Sequence, residues 1–188
     1  GRWSHTALAF PEERATYPEL ASRANDLACG LIALGVEAGE KVGVLISQGV
    51  DYFALIFAIA KIGAISVPLN PRFKAKELRH VISNSDMTAL VASDSLLEMP
   101  DVVSMLEETL PSLASAGGIE LHLAEAPLLR RIVLSGETSR DWVFNFAALV
   151  DLAESVSDEL VLYRRASVAI RDTAIIMYTS GTPANPKG

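Results

Sequence analysis

The sequence predicts an α/β fold, a mostly parallel β-sheet flanked by helices. Three observations lead there. Helical patterns at residues 20–34, 52–62 and 74–83 are each followed by a strand-like run, at 41–47, 64–69 and 87–92. That alternation argues for right-handed βαβ units. The run Lys41-Val42-Gly43-Val44-Leu45-Ile46-Ser47 is apolar on both faces, as a strand covered by helices on each side must be. Finally, the apolar run 174–177 breaks into hydroxyls, glycines, prolines and one lysine. It reads as a buried strand delivering a loop at its carboxyl end, where open α/β sheets bind ligands.

Taken in order, residues 7–10 read as a short strand, and Pro11-Glu12-Glu13-Arg14 turns the chain back. Thr16-Tyr17-Pro18-Glu19 is a capping box: hydroxyl and carboxylate are spaced to satisfy each other's orphan amides, and Pro18 is tolerated in a first turn. The helix that follows puts Leu20, Ala24, Leu27, Leu31 and Leu34 on one stripe and stops at Gly35. After the strand at 41–47, Asp51 is placed to cap a helix over 52–62 that is apolar almost all round. A membrane span needs about 20 residues, so burial is the better reading of this helix, with membrane-surface contact its alternative.

Residues 64–69 form the next strand, stopped by Asn70-Pro71. In the helix over 74–83, Leu78, Val81 and Ile82 face inward while Lys74, Lys76 and Arg79 form a solvated face. Residues 87–92 give a third strand. Beyond it, Val102, Met105, Leu106 and Leu110 make a helical stripe, 112–118 reads as a small-residue loop, and 131–134 as a fourth strand. Asn145 can cap a helix through Ala153, and 154–159 is a polar crossing before the terminal run. No internal repeat or linker divides the chain.

The stretch Tyr178-Thr179-Ser180-Gly181-Thr182-Pro183-Ala184-Asn185-Pro186-Lys187-Gly188 has the chemistry of a polyphosphate cradle. It offers the hydroxyls of Thr179, Ser180 and Thr182, the amides around Gly181 and the ammonium of Lys187, with no acidic residue between them. A Walker loop is excluded. Counted from Gly181, its second glycine would fall on Pro186 and its Ser/Thr after the lysine on Gly188.

The stretch resembles the phosphate-loop signature Tyr-Thr-Ser-Gly-Thr-Thr-Gly-x-Pro-Lys-Gly of the AMP-forming adenylating enzymes. That superfamily holds acyl-CoA synthetases, peptide-synthetase adenylation domains and luciferases. Pro183 stands at a hydroxyl position and Ala184 at a glycine; the other specified positions match. Weaker matches precede it in the family's order: Tyr17-Pro18-Glu19-Leu20, Gly35-Val36, Gly63-Ala64 with Val67-Pro68-Leu69-Asn70-Pro71, and Glu77-Leu78.

The resemblance implies that residues 1–188 are an incomplete N-terminal AMP-binding domain ending inside its phosphate loop. It implies that Thr179, Ser180, Gly181, Thr182, Ala184, Asn185 and Lys187 hold the phosphates of ATP. Magnesium, its ligand expected downstream, coenzyme A as co-substrate and a carboxylic acid, in the first instance a fatty acid, are implied with them. The fragment alone is expected to be inactive. A peptide-synthetase adenylation domain, and a non-catalytic nucleotide-binding or scaffolding protein on the same fold, are the alternatives.

At 188 residues the chain can bury one domain core, and a hydrophobic fraction of 50% excludes general disorder. Sixteen basic against 23 acidic residues give a net charge of −7, so nucleic acid is an unsuitable partner. Cys29 is the one cysteine, read as a small buried filler; a reducing, cytoplasmic setting is expected. His5, His80 and His122 are too scattered to suggest a metal site.

Overall fold

A computed structural model describes residues 5–138, 140–179 and 186–188. The chain opens with a two-stranded antiparallel hairpin, β1 (Thr6–Ala9) and β2 (Arg14–Thr16), and runs directly into α1 (Tyr17–Ala33). Then follow β3 (Lys41–Leu45), α2 (Val50–Lys61), β4 (Ile65–Pro68), α3 (Ala75–Asn84), β5 (Met87–Ser93), α4 (Val102–Thr109), β6 (Arg131–Ser135), β7 (Val143–Asn145), α5 (Phe146–Asp151) and α6 (Asp158–Ser167). Strands β3 to β7 form a five-stranded sheet of order β4-β3-β5-β6-β7, parallel at every pairing. The α/β expectation holds.

Strand alternation sorts the core into two layers. Val42 and Val44 of β3, Ala89 and Val91 of β5 and Val133 of β6 pack with α1, α2 and α5. Leu45, Leu90, Ala92, Ile132 and Leu134 pack on the other face with Leu78, Val81 and Ile82 of α3 and Val102 and Leu106 of α4. Each fully buried Leu or Ile contributes about 1.5–3 kcal/mol, so these layers, rather than helix propensity, hold the elements in place.

The Thr16 capping box forms as expected: the Thr16 side chain accepts from the Glu19 amide, and the Glu19 carboxylate accepts from the Thr16 amide at 2.8 Å. Asn145 caps α5, its Oδ1 accepting from the amide of Ala147 at 2.7 Å. Asp51, expected to cap the second helix, does not. The helix begins two residues earlier with Gly49 as N-cap, and the Val50 amide donates instead to Glu13 Oε1, at 2.7 Å, from the turn of the β1–β2 hairpin. Asp51 is thereby free to receive Arg23 of α1 in a two-pronged pair of 2.7 and 3.2 Å, tying α1 to α2.

Other expectations shift for identifiable reasons. Arg79 belongs to the predicted solvated face, yet its guanidinium donates to the carbonyls of Thr109 (2.6 Å) and Glu108 (3.0 Å), satisfying the C-terminal end of α4. Part of the small-residue loop winds into a 3₁₀ turn, Pro111–Ser115, sealed by Leu113. The polar stretch at 154–159 runs into α6, in which Val161 alone is buried. Its apolar stripe is therefore missing, although its Ser157 cap, acidic first turn and basic last turn are ordinary helix signals.

The terminal apolar run joins the sheet beside β4, in parallel, through a single bridge between Ser66 and Ile175. Ser66 N–H donates to the Ala174 carbonyl and Ile176 N–H to the Ser66 carbonyl, both at 2.9 Å. Ile65 and Leu69 turn their amides to the other side, toward Glu40 and Val44. The next amide of β4 on the Ser66 side would be that of Pro68, which has no hydrogen to donate. The ladder ends there.

The run is consequently an edge rather than the buried strand expected. Ile175 is 44% and Met177 66% exposed, and Ile176 alone turns toward the core. An apolar run with two faces needs cover on both, and one of them lies open among the described residues. No helix among the described residues is long and apolar enough to cross a membrane.

Candidate functional site

The bridge to β4 sets where the candidate loop begins. Beyond Met177 the chain turns over α3, and Tyr178 packs against the α3–α4 core layer. Burial, and secondarily the negative charge of Asp86, push the Tyr178 phenol up from its ordinary value, so it stays a neutral donor. Its hydroxyl donates to Asn84 Oδ1 at 2.8 Å.

The loop is closed by an antiparallel bridge between Thr179 and Lys187. Thr179 N–H donates to the Lys187 carbonyl at 2.9 Å, and Lys187 N–H to the Thr179 carbonyl at 3.1 Å. Thr179 and Lys187, expected from sequence to share a ligand, thus stand opposite each other on two stems, both solvent-exposed. Ser180, Gly181, Thr182, Ala184 and Asn185, with Pro183 between them, lie outside the described residues.

Two contacts hold the second stem. His80 Nε2 lies 3.1 Å from the Pro186 carbonyl oxygen, and Pro186 itself is buried. A carbonyl can only accept, so the ring is protonated at Nε2. Gly188 lies against the face of Tyr178: a Cβ there would stand 2.7 Å from Cε2 and Cζ of the ring. Both stems therefore rest on α3, at His80 and Asn84. Neither residue was singled out as a site residue from the sequence, because their partners are 106 and 94 positions away and no local pattern encodes such a pairing.

A separate crevice of about 210 Å³ opens where the strand order reverses, between β3 and β5. Ser47, Gln48, Ser93 and Ser135 line it, and the carboxylate of Glu13 closes one side against the start of α2. Cys29 is buried as expected, and burial raises its thiol above the ordinary value, with Asp158 and Asp26 adding to the effect. Burial and the raised value both disfavour the thiolate.

Residues 2–188 match the family described as AMP-binding enzyme, and the chain belongs to that family. It is 32% identical over 174 residues to a long-chain-fatty-acid–CoA ligase, FadD15, of Mycobacterium bovis, a match covering 92% of this chain and 25% of the relative. It is 31% identical over 140 residues to surfactin synthase subunit 1 of Bacillus subtilis, covering 71% of this chain and 4% of that protein.

Among solved structures, an anthranilate CoA ligase, AuaEII, in complex with anthranoyl-AMP superposes with a TM-score of 0.68 at 23% identity. That match covers 98% of this chain and 31% of the ligase, and it shows the shared fold. The chain spans a third or less of the length of each of these proteins.

Proposed function

We propose that the protein carrying this chain activates a carboxylic acid, in the first instance a fatty acid, with ATP and passes the acyl group to coenzyme A. The observation that carries the reading is the hairpin Tyr178–Gly188. Its composition matches the adenylating signature, and its stems are closed by the Thr179–Lys187 bridge. In the first step a carboxylate oxygen bonds to the α-phosphorus, the bond from that phosphorus to the bridging oxygen breaks, and pyrophosphate leaves with the electron pair. Lys187 and the hydroxyls of Thr179, Ser180 and Thr182, with the amides of Gly181, Ala184 and Asn185, supply donors and positive charge where the leaving group gathers negative charge. The thiol of coenzyme A then displaces AMP from the acyl carbon.

Among the described residues no three His, Cys, Asp or Glu side chains converge on a metal site. The described residues do not by themselves form a magnesium cage. The relatives include both fatty-acid–CoA ligases and peptide synthetases, each matching most of this chain, so a peptide-synthetase adenylation domain is the alternative reading. The 188 residues contain one edge of the site, and positioning catalysis needs both walls, so the isolated chain is expected not to adenylate.

The test is pyrophosphate release by the complete protein with ATP, magnesium and a panel of carboxylic acids. Acid-dependent release that Lys187→Ala lowers by about 10- to 1000-fold supports the reading, on the scale of losing one charged stabilising group. ATP binding without release for any acid would favour the non-catalytic alternative, to which the departures at Pro183 and Ala184 point. Acid-dependent release by the purified 188-residue chain would overturn the one-edge account.

A further inference from the structure

We infer that His80 is a positioning residue of the phosphate loop: it holds Lys187 in register from outside the loop, with Asn84 holding the opposite stem. The inference rests on the adenylating reading of the hairpin and adds to it a part of the molecule that no loop signature includes.

The geometry is specific. The Pro186 carbonyl and the Lys187 N–H belong to one rigid peptide plane. Its oxygen lies 3.1 Å from His80 Nε2, and its N–H donates to the Thr179 carbonyl at 3.1 Å. Pinning both ends of the plane fixes the direction in which the Lys187 side chain departs. On the first stem Asn84 receives the Tyr178 hydroxyl at 2.8 Å, and the Tyr178 ring lies against Gly188. His80 and Asn84 are four residues apart on α3, so they sit on one face a turn from each other.

The helix is a firm base for such a clamp. Leu78, Val81 and Ile82 on its inner side are at most 1% exposed, and Arg79 is tied to the carbonyls at the end of α4. Binding groups borne by loops are precise when a packed element supports them. A histidine used only for packing would not need its ring nitrogen aimed at the carbonyl preceding the loop's one cation.

The test uses the complete protein with His80→Ala and His80→Gln; the glutamine side-chain amide can donate from nearly the position of Nε2. Losing one hydrogen bond of ordinary strength predicts a rise in KM for ATP of about 2- to 12-fold in His80→Ala. The KM for the carboxylic acid and the melting temperature should stay unchanged, and His80→Gln should recover most of the loss. In the same variants, hydrogen exchange of the Lys187 amide should speed up in His80→Ala and return toward wild type in His80→Gln.

Unchanged ATP KM and unchanged Lys187 exchange in His80→Ala would overturn the inference. So would a glutamine variant as impaired as the alanine one, or a parallel shift of every KM together with the melting temperature, which would make the residue merely structural. A wild-type protein that releases no pyrophosphate would refute the proposed function instead, and the exchange measurement would still decide whether His80 holds the loop.

Discussion

Gly30 sits in the middle of α1, where two effects oppose each other. Glycine inside a helix costs about 1 kcal/mol relative to alanine, so propensity alone says that Gly30→Ala stabilises. The surroundings say otherwise: a Cβ at this position would overlap the carbonyl oxygen of Leu149 and stand 2.9 Å from its Cγ. The obstructing atom is backbone of α5 and cannot rotate away, so α5 must retreat by about 1 Å to reach ordinary contact. That movement would loosen Phe146 and Leu149 from the core layer they share with α1.

Overpacking of this kind costs about 1–3 kcal/mol, and a rigid obstacle puts it at the upper end. After the propensity gain is subtracted, a net loss of about 2 kcal/mol remains. For a chain of this size that lowers the melting temperature by about 4–8 °C. Gly118→Ala is the control, because nothing lies within 4 Å of its Cβ position. It should be neutral or gain about 0.4–1 kcal/mol. Thermal melts of the three proteins followed by circular dichroism decide the matter. A Gly30→Ala protein melting at or above wild type would refute the packing argument.

Two further expectations concern stability. Glu13→Ala removes the distant cap of α2 and should cost about 0.5–2 kcal/mol in urea unfolding. Glu13→Gln, which keeps an acceptor, should cost less. The carboxyls of Glu19 and Asp101 are held below their ordinary values of 4.5 and 3.8 by hydrogen bonds from Thr16 and Ser104 respectively. A depressed folded-state value means that the stabilisation is complete above the ordinary values and is lost as pH falls through the lower ones. A Glu19→Gln, Asp101→Asn double variant should therefore melt below wild type near neutrality, with the gap closing in acid. A gap that widens in acid would contradict the assigned signs.

Much of the fold was legible because its signals are local. The capping box at Thr16, the Asn145 cap, the strands about Val44 and Leu90 and the inward face of α3 each follow from spacing within a few residues. What escaped is non-local or too short. β7 spans three residues, too few for a period of two to show. Glu13 takes the place of Asp51 at the start of the second helix, and its carboxylate comes from 37 positions away, beyond any local pattern. At the candidate site, the residue types of the loop were readable as chemistry. The support beneath it was not: His80 and Asn84 look like ordinary outward positions of an amphipathic helix until the chain returns about a hundred residues later.

Pro68 limits the terminal run to the two hydrogen bonds around Ser66, and this makes the run's attachment a local equilibrium separate from global unfolding. Two such bonds contribute about 1–3 kcal/mol net, against about 5–15 kcal/mol for a whole domain. Detachment of residues 174–177 loses these two bonds and the packing of Ile176 on one core layer, an opening that still lies below global unfolding. A ligand that binds the loop only when its stems are seated adds about 2.7 kcal/mol to attachment at a hundred times its dissociation constant, as much as the edge supplies by itself. Occupancy would then set how much of the time the terminal run is seated on β4, and amide exchange at Ile176 would report the ligand from outside the site.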